Sequence, residues 1–275
     1  MQPTNQQVIF YLNFVNSAYL MYGKDGTDLT PPPLGFPPGY SVLCYLNTID
    51  PDSGVRVFFG FIAANPAVSG PAILAIRGTY NYSEWFTDFN AFPTPFPPLP
   101  GSNVATGFYE FYQGLQWILP DKSAVDPLEF IQSNNQGIVL AGHSLGGAIA
   151  TLMMASYMSA IPSLLLTLVT AASPAVGDYE FFTQFNTLVP NSYRYINDFD
   201  TVASFLDAVY YQVNTGIQLY SFDIWFTPVC EHSLQTYQYL LSPPGTPCNT
   251  DCCIVSVEQK AALQALHEKR RGRPA

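Results

Sequence analysis

An α/β fold with a central, mostly parallel sheet flanked by helices is predicted by three stretches of the chain. In the first, Ile138-Val139-Leu140 reads as a short apolar strand, turning through Gly142-His143-Ser144-Leu145-Gly146 into small and helix-forming residues from Ala148 to Ala155. In the second, the run from Ser144 to Ser173 carries no charge, and Pro162-Ser163 divides it into a helix near 145–160 and a strand near 164–170. Strands buried on both faces of a sheet read as continuous apolar runs of this kind. In the third, the segment from Tyr193 to Val202, which includes Asp198 and Asp200, reads as a strand running into a loop.

From the start of the chain, Val8 to Tyr22 has its apolar residues at helical spacing and reads as an amphipathic helix. Asn13, Asn16 and Ser17 interrupt it and no basic residues precede it, so it is not an intact signal peptide. The stretch from Tyr80 to Phe92 is rich in aromatic residues, and Phe92-Pro-Thr-Pro-Phe-Pro-Pro-Leu-Pro100 must be a stiff, extended connection. No Gly/Ser linker, charge block or internal repeat divides the 275 residues, which favours one domain over 1–275.

Composition narrows the partners. Only 11% of residues are charged, 15% are aromatic and the formal net charge is -10, which argues against nucleic acid and against anionic membranes, and for an apolar or neutral partner. The uncharged run from Ser144 is long enough to suggest a membrane span, but Pro162 breaks it. Five cysteines, Cys44, Cys230, Cys248, Cys252 and Cys253, leave at least one unpaired in a monomer. No histidine lies near the late cluster, so disulfides are expected rather than a metal, with Cys230 joined to a late cysteine behind the histidine region. With low charge and 24 prolines this points to a secreted protein whose leader is absent from this chain; a cytoplasmic protein with reduced thiols stays open.

Gly142-x-Ser144-x-Gly146 is the pattern of a nucleophile elbow, in which flanking glycines permit a strained turn and close helix packing while the serine hydroxyl stands clear. The bare pattern would occur by chance in about one chain in ten of this length, so the strand before it and the helix after it are what give it weight. A nucleophilic serine needs a base, and the base an orienting acid, in the chain order serine, acid, histidine. Of three histidines, His143 lies inside the elbow and His267 in the charged tail, which leaves His232 as the candidate base. For the acid, Asp200 and Asp198 compete, with Asp207 a distant third; period-two alternation puts the first two on one side and does not separate them.

These residues resemble the fungal-type, or class 3, lipases of the α/β-hydrolase superfamily. Gly142-His143-Ser144-Leu145-Gly146-Gly147 is similar to that family's elbow, and Ile73 to Thr79 to its strand ending in an R-G-T or R-G-S turn. Glu84-Trp85-Phe86-Thr87-Asp88, Gly107-Phe108-Tyr109 and Ser173-Pro174-Ala175-Val176-Gly177 resemble further landmarks in the family's order. Asp200-Thr201-Val202-Ala203 resembles its D-x-V-P acid motif, with alanine in place of proline, and favours Asp200. The resemblance covers about residues 7–240 and leaves 244–275, including the basic tail, unassigned.

The resemblance implies a serine carboxylic ester hydrolase, most simply a triacylglycerol lipase, with Ser144 as nucleophile, His232 as base and Asp200 as orienting acid. It assigns the oxyanion hole to the backbone N–H of Leu145 and to Thr79. Tyr80, Tyr82, Trp85, Phe86 and Phe89 lie where such lipases carry a lid, and with His143 are the lid or substrate-contacting candidates; Trp85 and Phe89 also fit plain core positions in a fixed turn. Arg77 fits a structural ion pair as well as a direct role, and Asn81-Tyr82-Ser83 forms a glycosylation sequon. A lipid ester, met at an oil–water interface, is the expected partner, with no cofactor, metal or nucleic acid. A non-interfacial carboxylesterase, a feruloyl esterase and a catalytically silent binding module are the alternatives.

Overall fold

A computed structural model describes residues 1–50, 53–79, 89–134, 136–221, 223–254 and 256. An eight-stranded sheet organises them. Its strands in chain order are β1 (Ser41–Ile49), β2 (Arg56–Ala64), β3 (Ala72–Ile76), β6 (Gln116–Ile118), β7 (Ile138–His143), β8 (Leu166–Ala171), β9 (Ser192–Asn197) and β10 (Ile217–Leu219). Across the sheet the order is β10-β9-β8-β7-β3-β2-β1-β6. From β10 to β3 the neighbours run parallel, while β2, β1 and β6 extend the sheet antiparallel. The parallel part is the predicted one, and its strands deliver their carboxyl ends to one edge, where ligands of such sheets bind.

Both faces of the parallel part are buried, and side-chain alternation sorts the residues. Ala72, Leu74 and Ile76 of β3, with Ile138 and Leu140 of β7, pack into one core; Ile73, Ala75, Val139 and Ala141 pack into the other. The first core is covered by α2 (Thr106–Gln113), α3 (Pro127–Ser133), α4 (Leu145–Ala160) and α5 (Tyr179–Leu188); the second by α1 (Asn5–Lys24) and α7 (Leu234–Leu241). The short α6 (Pro228–His232) precedes α7.

α1 is the expected amphipathic helix. It starts on a capping box in which Thr4 and Gln7 satisfy each other's backbone N–H groups, and it buries Val8, Leu12, Val15, Ala18 and Met21 against the sheet. The strand expected near 164–170 forms over 166–171, because Leu164 and Leu165 still belong to the turn made by Pro162-Ser163 and Leu165 is left exposed. The proline-rich stretch is extended only at its start: from Phe96 it turns, the Leu99 N–H donating to the Phe96 carbonyl at 3.0 Å and the Ser102 N–H to the Leu99 carbonyl at 3.1 Å, so the extended connection expected as far as Pro100 is not formed. Its first residues form β4 (Pro93–Pro95), which pairs with β5 (Asn103–Ala105) in a separate two-stranded ribbon. Among the described residues no helix is long and apolar enough to cross a membrane.

Candidate active site

The serine elbow is a product of close packing. Ser144 sits between β7 and α4 at φ 57 and ψ -128, a conformation that costs a non-glycine residue about 1–3 kcal/mol and persists only where its surroundings enforce it. The enforcement is visible in the two glycines. A Cβ on Gly142 would lie 2.4 Å from the Gly146 carbonyl oxygen, and one on Gly146 would lie 2.3 Å from that of Ile76. Only with hydrogen at both places can α4 start so close to β7 and β3. The Ser144 N–H donates to the Ala171 carbonyl of β8 at 3.0 Å, fixing the turn from the other side.

From this turn a line of hydrogen bonds crosses the sheet edge. Ser144 Oγ lies 2.7 Å from His232 Nε2, and His232 Nδ1 lies 2.8 Å from Asp200 Oδ2. A carboxylate accepts only, so Nδ1 carries the proton and Nε2 presents its lone pair to the serine hydroxyl. All three side chains are buried, Ser144 at 1%, His232 at 0% and Asp200 at 3% exposure. Burying a carboxylate is costly unless its lone pairs are used. Here Oδ2 also accepts from the Tyr237 hydroxyl at 2.7 Å, and Oδ1 accepts the backbone N–H groups of Val202 and Ala203 at 3.0 and 3.1 Å. Burial, then the Asp200 charge, pushes the Tyr237 phenol well above its ordinary pKa, so Tyr237 remains a donor.

Behind the line lies a second polar chain that sequence reasoning missed. His143 Nε2–H donates to the His232 carbonyl at 2.8 Å, its Nδ1 accepts from the Tyr19 hydroxyl at 2.9 Å, and Tyr19 in turn accepts the Gly78 N–H at 2.8 Å. α1 is thereby tied to the β3 turn, the elbow and the histidine turn at once. Burial first, and the neighbouring His232 second, hold the His143 pKa well below its ordinary value, so this ring stays neutral and supports the chain without charge.

The β3 turn ends at Thr79, whose Oγ1 is buried and has no hydrogen-bond partner among the described residues. Leu145 begins α4, and its N–H is one of the first-turn donors that have no intrahelical acceptor. Leu145 follows the serine directly, and Thr79 follows Gly78, on which a Cβ would lie only 2.9 Å from Ser144 Cβ, at the carboxyl ends of the adjacent strands β7 and β3. An unsatisfied hydroxyl beside a helix N-terminus suits a group that develops negative charge.

Comparison with known proteins then becomes decisive. Residues 73–209, which contain β3, the elbow and Asp200, match the family described as Lipase (class 3). The chain belongs to the class 3 lipase family. It is 31% identical over 136 residues to the secreted mono- and diacylglycerol lipase 1 of Fusarium solani, a match covering 49% of this chain and 38% of that protein. It is 29% identical over 197 residues to a lipase of Rhizomucor miehei, covering 70% of this chain and 50% of the relative. The chain thus spans half or less of these curated relatives. A solved Rhizomucor miehei lipase propeptide complex superposes with a TM-score of 0.60 at 18% identity, over 79% of this chain and 67% of that one, and shows the same α/β-hydrolase fold.

Within this family frame the sequence expectations sort cleanly. Ser144, His232 and Asp200 are brought together, whereas Asp198 and Asp207 are exposed and outside the line. Ala203, the departure from the family's proline, supplies an N–H to Asp200 that proline lacks. His143 was expected among the substrate-contacting residues; it is instead 0% exposed, with both ring nitrogens engaged, so it cannot touch a substrate. Phe89 is partly buried and packs on Phe108 and Phe205 at 4.6 and 5.5 Å between ring centroids, the core placement rather than a free lid position. Tyr80, Tyr82, Trp85 and Phe86, the sequon Asn81-Tyr82-Ser83 and His267 lie outside the described residues.

Arg77 is not in an ion pair among the described residues. Its guanidinium donates to the Phe58 and Gly78 carbonyls and stacks 3.4 Å from the Tyr22 ring centroid; burial lowers its pKa to about 10. The disulfide expected behind the histidine is Cys230–Cys252, a second joins Cys248 to Cys253, and the unpaired cysteine is the buried Cys44.

Proposed function

We propose that this chain forms a hydrolase domain that cleaves carboxylic esters of lipids through an acyl-enzyme. The observation that carries the proposal is the continuous line Ser144–His232–Asp200, at 2.7 and 2.8 Å, with the proton placed so that the serine faces a base. Ser144 attacks the ester carbonyl as His232 takes its proton, Asp200 holds the imidazole in the required tautomer and offsets its positive charge, and His232 then protonates the departing alkoxide. Water repeats the sequence to release the acid. The oxyanion of each tetrahedral state is received by the Leu145 N–H and by Thr79, whose hydroxyl is otherwise unsatisfied.

Acylglycerols are the proposed substrate class. The Fusarium relative is named a mono- and diacylglycerol lipase and the Rhizomucor relative a lipase, and a chain with 11% charged residues offers little to a charged ligand. The proposed setting is outside the cell. The Fusarium relative is named as secreted, and two disulfides close the segment behind the histidine.

With Ser144 only 1% exposed, an ester reaches it after a local rearrangement, which is most favourable where an apolar phase receives the uncovered surface. Rates on tributyrin, measured from below to above its solubility limit, test this. A jump on emulsion formation supports the lipase reading; saturation on the dissolved ester assigns a non-interfacial esterase; no turnover on any ester removes the proposal.

A further inference from the structure

Next to His232 the fold buries a second carboxyl group that the triad does not use. Glu231 is 2% exposed. Its Oε2 is held by the Ser221 hydroxyl and by Asn197 Nδ2, Ser221 Oγ lies 3.1 Å from Asn197 Oδ1, and Asn197 Nδ2 also donates to the Glu231 carbonyl at 3.0 Å. Oε1 is buried and has no hydrogen-bond partner, and no lysine or arginine pairs with the group among the described residues. An orphaned oxygen on a buried carboxyl is a standing cost, so its retention one residue before the base calls for a physical reason.

The connections supply one. Asn197 is the last residue of β9, three before Asp200, and its N–H donates to the Tyr237 oxygen at 3.0 Å, the same hydroxyl that donates to Asp200. Ser221 follows β10, the neighbouring strand. Glu231 therefore ties α6, which carries His232, to the strand end that delivers Asp200, through atoms that touch neither the serine nor a substrate. The groups facing it are Asn197 from β9, Ser221 from the segment after β10, the Asp200 charge, and His232 beside it in α6; Tyr237 of α7 joins through Asn197. No cation sits among them, and the one group of this set able to acquire positive charge is the ring of His232, the residue that follows Glu231 in α6.

We propose that Glu231 is a positioning residue that fixes His232 on Asp200 and, in its ionised form, favours the imidazolium that develops during acyl transfer. The inference rests on the ester-hydrolase reading of the triad. It assigns Glu231 two separable actions: a clamp made by hydrogen bonds, and a charge that acts through space.

Burial, ahead of the Asp200 charge, raises the Glu231 pKa from 4.5 to about 7, with Ser221 and Asn197 opposing the rise. The folded protein thus keeps this proton in a range where the unfolded chain has lost it. Between pH 4.5 and about 7 the native state binds the extra proton, so this group's effect on stability worsens as pH rises through that window and is constant above it. The charge assists catalysis only where it costs stability.

The test is Glu231→Gln, which keeps the shape and an acceptor oxygen but cannot ionise. The kcat/KM for a dissolved short-chain p-nitrophenyl ester, normalised to active sites counted by phosphonate titration, is measured from pH 5 to 9 for both proteins. The expected ratio of parent to variant is close to one below pH 6 and rises through about pH 7 to roughly five- to tenfold, as one unit charge acting across a partly screened interior would produce. The variant is also expected to melt higher than the parent at pH 8 but not at pH 5. A ratio that does not change with pH overturns the charge role, whatever happens to melting. Ser221→Ala, which removes one bond to the carboxyl, is expected to move the transition in the ratio to higher pH; an unmoved transition assigns it to another group and overturns the inference. A parent protein that neither titrates with phosphonate nor cleaves the ester refutes the hydrolase reading itself, an outcome distinct from both.

Discussion

The serine and the histidine reach the same point by opposite means. From Ile138 to Ala155 every residue of β7 and of the first part of α4 is buried, and Ser144 is held by apolar packing and by two glycines that let backbones touch. The segment from β10 to α6 contains exposed Trp225, Phe226 and Val229, has little regular structure, and is held by polar contacts and by covalent closure. Cys230 is bonded to Cys252, the Trp225 N–H donates to the Cys252 carbonyl at 2.9 Å, and the Ile254 N–H donates to Asp223 at 2.8 Å. Yet His232 at its end is 0% exposed. One half of the site is a consequence of the core; the other is fastened to the core after the fact. Damage to the first half should therefore appear as lost stability, and damage to the second as lost activity in a folded protein.

The largest effect tests whether the two halves act as one unit. Asp200→Asn should lower kcat on a short-chain ester by about 10⁴-fold, because the asparagine amide favours the wrong imidazole tautomer, while leaving the circular-dichroism spectrum unchanged. Asp198→Asn should stay close to the parent, since that side chain is exposed and outside the line. An exchange of these two outcomes would move the acid to Asp198.

Next in size is Gly146→Ala, which strikes the packed half. The added methyl would meet the Ile76 and Arg77 carbonyl oxygens at 2.3 and 2.5 Å, and a backbone contact cannot swing aside. A loss of about 3 kcal/mol is expected in denaturant unfolding, with the whole sheet melting earlier. Unchanged unfolding would mean that the elbow is looser than its geometry requires.

Removing the clamp of the other half should give the reverse signature. The Cys230–Cys252 bond closes a 22-residue separation, worth about 3 kcal/mol to the ordering of that segment. With both cysteines changed to serine, the sheet should melt near the parent temperature while kcat/KM falls about 10²-fold, the usual effect of an ångström-scale misplacement of a catalytic group. Equal loss of melting temperature and activity would show that the two halves are not separable.

Smallest is Ala203→Pro, which restores the family's residue and deletes one of the two N–H donors to Asp200 Oδ1. About a threefold drop in kcat is expected, the worth of one modest hydrogen bond when the other three to the carboxylate remain.

The same contrast explains what could be read from the sequence. The elbow was legible because its requirements are local: an apolar strand, two glycines and a helix in unbroken order. His232 followed by elimination among three histidines rather than from any pattern around it. Alternation failed to separate Asp198 from Asp200 because β9 ends at Asn197, so the two aspartates lie in a turn where period two no longer holds. Tyr19, Tyr237, Asn197 and Ser221 left no local signal at all. Their contacts span between 10 and 124 residues of chain, and two of them are among 18 tyrosines. Glu231 offered one cue, a lone acid beside the chosen histidine, whose meaning depends on burial that spacing does not reveal.

The central claim is that Ser144 is a nucleophile because His232 and Asp200 are hydrogen-bonded behind it. A p-nitrophenyl phosphonate, mixed with folded protein at neutral pH, tests this most directly when released p-nitrophenol is counted and the modified peptide is mapped by mass spectrometry. The expected result is one equivalent released per chain, an adduct on Ser144, and labelling slowed at least about 10³-fold in His232→Ala. A folded protein that takes no adduct, or takes it on another residue, would contradict the account.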